Sequence, residues 1–149
     1  ILLKYIEKNS FIFFTNYDSA KSRDILKNKN VALNFHWGTL ERQVRINGYA
    51  QRISELDSDQ YFKERPKKSQ LSTLISKQST TINLSCDLNL DMKQLEEKYK
   101  GKKIKRPSNW GGFKVIPKKI EFWQGRPSRL HDRLVYTFDQ NWAVKRLAP

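Results

Sequence analysis

Alternation of apolar and polar residues with a period of two is the pattern that most constrains this chain. Residues 31–37 alternate in this way, which predicts a half-buried strand. A longer strand is predicted over 43–53, where Gly48 indicates a bulge or a close approach of two backbones. Further strands are predicted in the first residues and at 11–14, 113–116, 119–124, 133–138 and about 142–147.

Three or four short helices are predicted between these strands. The first is expected to bury Ile25 and Leu26, and the last begins near Asp91, which resembles a capping box with Gln94. The first predicted helix covers about 20–28, with Ser19 as its N-cap, and the second runs from Ser54 or Asp57 to near Arg65, because Pro66 follows. The third is indicated by the spacing of Leu71, Leu74 and Ile75. The fourth covers about 92–99 and ends before Gly101. Because strands dominate and no linker or repeat interrupts residues 1–149, we expect a single, mainly β (α+β) domain built on a small β-barrel.

Composition narrows the classes of function. The net charge of +14 is compatible with nucleic acid, an anionic membrane or small phosphorylated ligands as partners. No apolar run has the length of a membrane helix, and one Cys with two His cannot form a four-ligand zinc site. The single Cys86 and the lack of a secretion signal favour a reducing, cytoplasmic setting. No initiator Met is present, so we expect an N-terminal segment to be missing.

Longer motifs give a more specific indication of fold and function. The stretch IEFWQGRPSRLHDR at 120–133 and the final RLAP at 146–149 resemble the pyridoxine/pyridoxamine 5'-phosphate oxidase family. Further motifs that resemble this family occur upstream in the same order as in the family: FFTNYDSAK at 13–21, ERQVR at 41–45, YFKERPKKSQ at 61–70, SKQS at 76–79 and WGGF at 110–113. The resemblance implies an FMN-binding split β-barrel and a homodimer with two flavin sites at the subunit interface. It also implies oxidation of pyridoxamine or pyridoxine 5'-phosphate to pyridoxal 5'-phosphate, with dioxygen reduced to hydrogen peroxide.

This reaction requires cationic and hydroxyl groups for two phosphates, one on the cofactor and one on the substrate. For the substrate phosphate, the resemblance selects Lys4, Tyr61, Arg65 and Ser69. Tyr61 and Arg65 are four residues apart on a predicted helix, so both are expected on one face. Read without the resemblance, a packed Tyr and a solvated Arg would be the more common interpretation.

For the cofactor, the resemblance selects residues from several segments. They are Leu2, Leu3, Lys4, Phe14, Thr15, Lys21, Gln43, Gln78, Ser79, Trp123 and Arg133. Lys21 lies near a predicted helix start, where charge and free N–H groups both favour phosphate. Arg129 and His131 are predicted to position the substrate near its reacting carbon, and we expect them on one face of a strand.

The sequence departs from the family in ways that leave alternatives open. Ala20 stands where the family usually has Arg, which predicts roughly ten- to a hundredfold weaker FMN binding unless Arg23 compensates. Residues 71–74 read Leu-Ser-Thr-Leu where the family commonly has Ile-Gly-Ala-Trp, so an aromatic wall is absent. One alternative is therefore a catalytically impaired relative that binds FMN or pyridoxal phosphate. Another, suggested by the charge, is a basic nucleic-acid-binding β-barrel, although nucleic acid and membrane are not the expected partners.

Overall fold

A computed structural model describes residues 1–149. Its seven strands form one antiparallel sheet: β1 Leu3–Glu7, β2 Ser10–Asn16, β3 Asn30–Trp37, β4 Arg42–Arg52, β5 Trp110–Gln124, β6 Asp132–Phe138 and β7 Trp142–Arg146. The four helices are α1 Ala20–Lys27, α2 Glu55–Glu64, α3 Lys67–Ile75 and α4 Leu88–Lys98. Short 3-10 turns lie at Gly38–Leu40 and Pro127–Arg129. The mainly β architecture predicted from the sequence is confirmed.

Strand β5 organises the sheet because both of its edges are paired. One edge pairs with β4, whereas the other pairs with β2 along its first half and with β6 along its second half. The prediction of two separate strands over 113–116 and 119–124 is wrong, since β5 is continuous. Asn47 pairs with Lys119 and Gly48 pairs with Pro117, which leaves Lys118 as the extra residue of a bulge. A bulge is where a sheet tolerates a proline, which lacks the N–H needed for the ladder.

Gly48 confirms the predicted close approach of two backbones. A Cβ at this position would lie 2.3 Å from the carbonyl oxygen of Ile116, on the neighbouring strand. Only glycine therefore fits opposite the bulge, and Gly48 fixes where β4 and β5 bend together.

The helices begin and end close to their predicted positions, with two corrections. Ser54 caps α2 by accepting a hydrogen bond from the backbone N–H of Asp57, and the helix ends before Arg65 as expected. Leu26 was predicted to face inward but is 54% exposed, since Ile25 alone reaches the core from that turn. The predicted capping box at Asp91 is wrong: the N-cap of α4 is Asp87, four residues earlier, which accepts hydrogen bonds from the N–H groups of Asn89 and Leu90.

Two hydrophobic clusters hold the molecule together. The larger fills the barrel between β2, β3, β4, β5 and α1 and comprises Phe13, Tyr17, Ile25, Leu33, Ile46, Ala50, Phe113 and Val115. The smaller joins helices α2 and α3 to the start of β5 through Phe62, Leu71, Ile104 and Trp110. Leu74, where the family commonly has Trp, packs against this second cluster. None of the helices combines the length and apolarity needed to cross a lipid bilayer.

Candidate functional site

Lys21 lies in a pocket of neutral oxygen atoms. Its ammonium donates hydrogen bonds to Thr15 Oγ1 at 2.8 Å, to Gln78 Oε1 at 3.1 Å and to Ser19 Oγ at 3.2 Å. Thr15, which is 5% exposed, also donates to Gln78 Oε1 at 3.1 Å. Burial lowers the pKa of Lys21 from its ordinary value, and no carboxylate pairs with it. Two predicted cofactor residues, Thr15 and Gln78, thus surround a third, Lys21, whose positive charge has no carboxylate partner.

The turn between β2 and α1 gives this cluster its shape. The buried hydroxyls of Ser19 and Ser22 both donate to the carbonyl oxygen of Asn16, at 2.7 and 2.8 Å. These bonds fasten the first turn of α1 to the end of β2, so Thr15 on the strand and Lys21 on the helix face each other. Arg23, considered above as a replacement for the family's Arg, donates instead to the carbonyl oxygen of Asp18.

Arg65 is the second half-buried cation without a carboxylate partner. Its guanidinium carbon lies 4.6 Å from the centroid of the Trp110 ring, and Nη1 donates to Thr73 Oγ1 at 2.6 Å. Burial lowers the pKa of Arg65. Tyr61 is nearly parallel to the same Trp110 ring and stacks on Phe14 with centroids 3.9 Å apart. Tyr61 and Arg65 thus lie near the same Trp110 ring, but they do not share a helix face as expected, because Arg65 follows the end of α2 in an extended conformation.

A cavity of about 190 Å³ connects these two groups. Arg65, Thr15 and Gln78 line it together with Thr73 and Trp110. A larger depression of about 750 Å³ shares the ring of Phe14 with this cavity. It is also lined by Tyr61, by the carboxylates of Glu7, Asp57 and Glu64, and by the cations Lys8, Arg52 and Lys114. Arg65 is the only charged residue that lines the smaller cavity, so no carboxylate there offsets its charge, and the smaller cavity is the better candidate for a phosphorylated ligand.

The remaining residues predicted on this side do not line the cavity and lie on neighbouring segments of the chain. Ser69 is in the first turn of α3, where its carbonyl oxygen accepts hydrogen bonds from Ser72 and Thr73. Lys4 on β1 is exposed, with Nζ 5.9 Å from the centroid of the Tyr61 ring. Leu2 and Leu3 belong to the start of β1, and Ser79 follows Gln78 in a left-handed backbone conformation.

A second group of predicted residues lies at the far end of β5. Gln43 pairs with Trp123, and Trp123 pairs with Arg133 across neighbouring strands. The His131 ring lies 4.9 Å from the Trp123 ring, and its Nδ1 accepts a hydrogen bond from the backbone N–H of Arg126 at 3.1 Å. That bond makes Nδ1 the unprotonated nitrogen and leaves Nε2 to carry the proton of the neutral ring.

Arg129 and His131 do not share a strand face, so that prediction is wrong. Arg129 ends the turn Pro127–Arg129, where both Ser128 and Arg129 have positive φ values of 58° and 62°. β6 begins only at Asp132, whose carboxylate is held by Arg126 and Arg146. These ion pairs give Asp132 a structural role.

Sequence reasoning missed Glu121, which is 4% exposed on β5. One carboxylate oxygen accepts from Arg133 Nε at 2.9 Å, and the other lies 2.6 Å from Arg45 Nη2. Burial alone would raise the pKa of Glu121, but the hydrogen bonds from Arg133 and Arg45 outweigh it, and the pKa is lowered. The available signal was the spacing of charges on neighbouring strands, which becomes visible only once β4, β5 and β6 are in register.

The two groups are far apart within one chain. Thr15 pairs with Gly111 near the start of β5, whereas Gln43 pairs with Trp123 near its end. At about 3.3 Å per residue, a straight strand would separate these positions by roughly 40 Å. We call the group around Lys21 and Arg65 the first half-site and the group around Trp123 and Arg133 the second half-site.

An exposed apolar face accompanies the second half-site. It comprises Phe122, Leu134, Phe138, Trp142 and Val144, each 39% to 56% exposed. Alternate residues of a strand point to one side, which places Leu134 and Phe138 together, with Phe122 opposite Leu134 and Trp142 opposite Phe138. A contiguous apolar surface of this kind is typical of a protein–protein interface.

Comparison with known proteins agrees with this architecture. A crystal structure of PhzG from Burkholderia lata, in complex with tetrahydrophenazine-1-carboxylic acid, superposes with a TM-score of 0.90 at 26% identity, covering 99% of this chain and 72% of that one. A pyridoxamine 5'-phosphate oxidase-related, FMN-binding protein from Nostoc punctiforme superposes with a TM-score of 0.78 at 16% identity, covering 98% of this chain and 77% of that one. The fold is therefore that of the FMN-binding split barrels.

Sequence comparison identifies the family. Residues 2–124 match the family described as pyridoxamine 5'-phosphate oxidase, and residues 110–149 match the pyridoxine 5'-phosphate oxidase C-terminal dimerisation region. Pyridoxine/pyridoxamine 5'-phosphate oxidases from Trichormus variabilis and Microcystis aeruginosa are 48% and 49% identical, each over 100% of this chain and 71% of its own length. The chain belongs to the pyridoxine/pyridoxamine 5'-phosphate oxidase family, whose members bind FMN.

Proposed function

We propose that this protein oxidises pyridoxamine 5'-phosphate and pyridoxine 5'-phosphate to pyridoxal 5'-phosphate with FMN as the cofactor. The observation that carries the proposal is the pair of half-buried cations, Lys21 and Arg65, neither of which has a carboxylate partner. An unpaired cation in a partly desolvated site is costly unless an anion binds there. The reaction brings two such anions, the phosphate of FMN and the phosphate of the substrate.

The residues around Lys21 fit the FMN phosphate. The ammonium is held by Thr15 and Gln78 through neutral oxygens alone, so an incoming phosphate meets no competing negative charge. Hydroxyl and amide groups of Thr15, Gln78 and Ser79 would complete the hydrogen bonding. FMN, when bound, supplies the hydride acceptor and is reoxidised by dioxygen, which yields hydrogen peroxide.

Arg65 and its neighbours fit the phosphate of the substrate. The planar guanidinium offers a bidentate fork, and it is held over Trp110 beside the hydroxyl of Tyr61 and the first turn of α3. Lys4 and Ser69 lie on the elements that border this group. We assign these four residues to the substrate phosphate.

Arg129 and His131 are proposed to orient the pyridine ring of the substrate. With Nδ1 occupied by the Arg126 N–H, His131 presents a protonated Nε2 that can donate a hydrogen bond. Arg129 stands on an exposed turn with left-handed backbone, which projects its long side chain from the end of the sheet. Alignment of two reacting rings can lower a barrier by several kcal/mol.

The two half-sites are proposed to meet across a homodimer. Because the two groups lie towards opposite ends of β5, Lys21 of one subunit and Arg133 of another would serve the same cofactor. The match of residues 110–149 to a dimerisation region and the exposed apolar face on β5, β6 and β7 both support this arrangement. Each dimer would then contain two equivalent sites.

The test is an absorbance spectrum of the purified protein with FMN, before and after anaerobic addition of pyridoxamine 5'-phosphate. The expected result is a bound flavin spectrum that bleaches with substrate and returns with air, together with peroxide. Protein that binds no FMN would contradict the proposal. Unphosphorylated pyridoxamine is the matched control, because it lacks the group that Arg65 is proposed to bind.

A second candidate is a relative that binds FMN but has lost turnover. Ala20 removes one cation from the start of α1, and Arg23 is engaged with the carbonyl oxygen of Asp18 instead of the Lys21 cluster. A flavin spectrum that persists under anaerobic substrate would favour this candidate over the oxidase.

A further inference from the structure

Thr73 connects two elements that the proposed function assigns to the substrate phosphate. Its hydroxyl accepts a hydrogen bond from Arg65 Nη1 at 2.6 Å and donates one to the carbonyl oxygen of Ser69 at 2.9 Å. One side chain thus joins the end of α2 to the first turn of α3.

The bridge leaves the binding edge of Arg65 free. Nη1 alone is bonded within the chain, whereas Nε and Nη2 make no hydrogen bond to protein. The Trp110 ring supports the guanidinium from one side at 4.6 Å. An arginine held at one nitrogen and at one face loses less side-chain entropy when an anion binds to its remaining fork.

We propose that Thr73 is a positioning residue that holds Arg65 ready for a phosphate group, an inference that rests on the proposed role of Arg65. Thr73 itself lines the 190 Å³ cavity together with Arg65. Its effect is exerted through Arg65 and is specific to the phosphorylated end of the ligand.

Three substitutions separate this role from simple packing. Thr73→Val keeps the shape and removes the hydroxyl, whereas Thr73→Ser keeps the hydroxyl. Ser72→Ala is the matched control, because the Ser72 hydroxyl also donates to the carbonyl oxygen of Ser69, at 3.0 Å, but does not contact Arg65. Each variant is made alone and in an Arg65→Ala background.

The first measurement uses the FMN-loaded protein and pyridoxine 5'-phosphate. Thr73→Val is expected to raise KM about three- to tenfold with kcat within about twofold, as for the loss of one hydrogen bond. Thr73→Ser and Ser72→Ala should stay near the parent values. In the Arg65→Ala background Thr73→Val should add nothing, since the two residues act as one unit.

The second measurement does not depend on turnover. Inorganic phosphate is titrated into ¹⁵N-labelled protein while the Nε–H resonance of Arg65 is followed. Thr73→Val is expected to weaken this binding by a similar factor. Unchanged or tighter phosphate binding would overturn the proposal, as tighter binding would mean that Thr73 withdraws Arg65 from the ligand.

The two measurements distinguish the possible failures. Phosphate binding that depends on Thr73, without oxidation of pyridoxine 5'-phosphate, would overturn the oxidase and retain the positioning role. Oxidation that is indifferent to Thr73→Val would overturn the positioning role alone. Absence of both phosphate binding and oxidation would overturn both.

Discussion

Glu121 accepts a hydrogen bond of 2.9 Å from Arg133, the arginine of the second half-site that is proposed to bind the cofactor. The carboxylate is almost completely buried, and Arg45 occupies its other oxygen. Arg133 also donates from Nη1 to the carbonyl oxygen of Ala148, so the C-terminal residues help to hold it. The orientation of Arg133 is therefore fixed from two sides before any ligand binds.

Glu121→Gln is expected to weaken FMN binding roughly tenfold and to lower the free energy of unfolding by about 1–3 kcal/mol. The neutral amide cannot hold both guanidinium groups, and Arg133 loses its fixed orientation. FMN fluorescence quenching measures the affinity and thermal unfolding the stability. Glu97→Gln is the control, because Glu97 is exposed and its contact with Lys100 is 3.9 Å long.

The stabilisation from Glu121 should depend on pH. Because its pKa is lowered in the folded state, the contribution is complete above the ordinary value of 4.5 and is lost as the pH falls through the folded-state pKa. The difference in Tm between parent and Glu121→Gln is thus expected to be constant near neutral pH and to shrink below about pH 4. A difference that stays constant into strong acid would show that the charge of Glu121 is irrelevant.

FMN affinity should fall at alkaline pH because of Lys21. Burial lowers the pKa of Lys21 from 10.5, so its positive charge is lost at a lower pH than that of an exposed lysine. The dissociation constant is expected to be flat near neutrality and to rise as the pH approaches that pKa. Lys21→Met should weaken binding about ten- to a hundredfold at neutral pH.

The control for this pH dependence is Lys21→Arg, which keeps its charge throughout the range. Any alkaline loss that persists in Lys21→Arg would belong to the flavin itself. An equal pH dependence in the parent and in Lys21→Arg would therefore contradict the assignment.

Gly48→Ala is expected to destabilise the fold by about 1–3 kcal/mol, because its Cβ would collide with the backbone of Ile116. For a domain of this size the Tm should fall by roughly 3–10 °C. Gly38→Ala is the matched control, since its nearest neighbour, His36 Nε2, lies at an ordinary 3.6 Å. Equal Tm values for the two variants would show that β4 and β5 do not approach as described.

Leu134→Asp should convert a dimer into monomers, because it introduces a charge into the apolar face. Analytical ultracentrifugation is the measurement. Leu84→Asp is the control: Leu84 is fully exposed and lies outside the region matched as a dimerisation region. Dimers that survive Leu134→Asp would exclude this face as the interface.

Mixing two inactive variants tests whether the half-sites are shared between subunits. Lys21→Met damages the first half-site and Arg133→Leu the second. If subunits are exchanged at random in an equal mixture, about half of the dimers are mixed, and each has one intact site. Recovery of about a quarter of the parent activity is expected, whereas no recovery would mean that each subunit builds its own site.

Local sequence pattern was sufficient to predict most strands and helices, and to bring together residues that lie close in sequence or on facing elements. The two-residue period identified β3 and β4, and Pro66 correctly ended α2. The prediction divided β5 into two strands, because a bulge that accommodates Pro117 depends on the opposite strand. The placement of Arg129 on a strand was wrong for a related reason: the two-residue spacing of Arg129 and His131 does not reveal the left-handed turn at Ser128.

Contacts between distant segments could not be predicted from the sequence. The Arg45–Glu121–Arg133 group joins three strands, and its members look like ordinary outward-facing charges in each strand alone. Thr73 reads as a simple departure from the family until Arg65 is found 2.6 Å away. The separation of the half-sites likewise follows only from the register along β5.

The length of β5 bears on when the chemistry can begin. Strand β5 carries the neighbours of Lys21 near one end and Trp123 near the other, so a newly made monomer would offer a flavin only one of the two half-sites. Under the proposed function, peroxide would form only after two subunits have assembled, so the activity of each subunit would depend on the concentration of the protein.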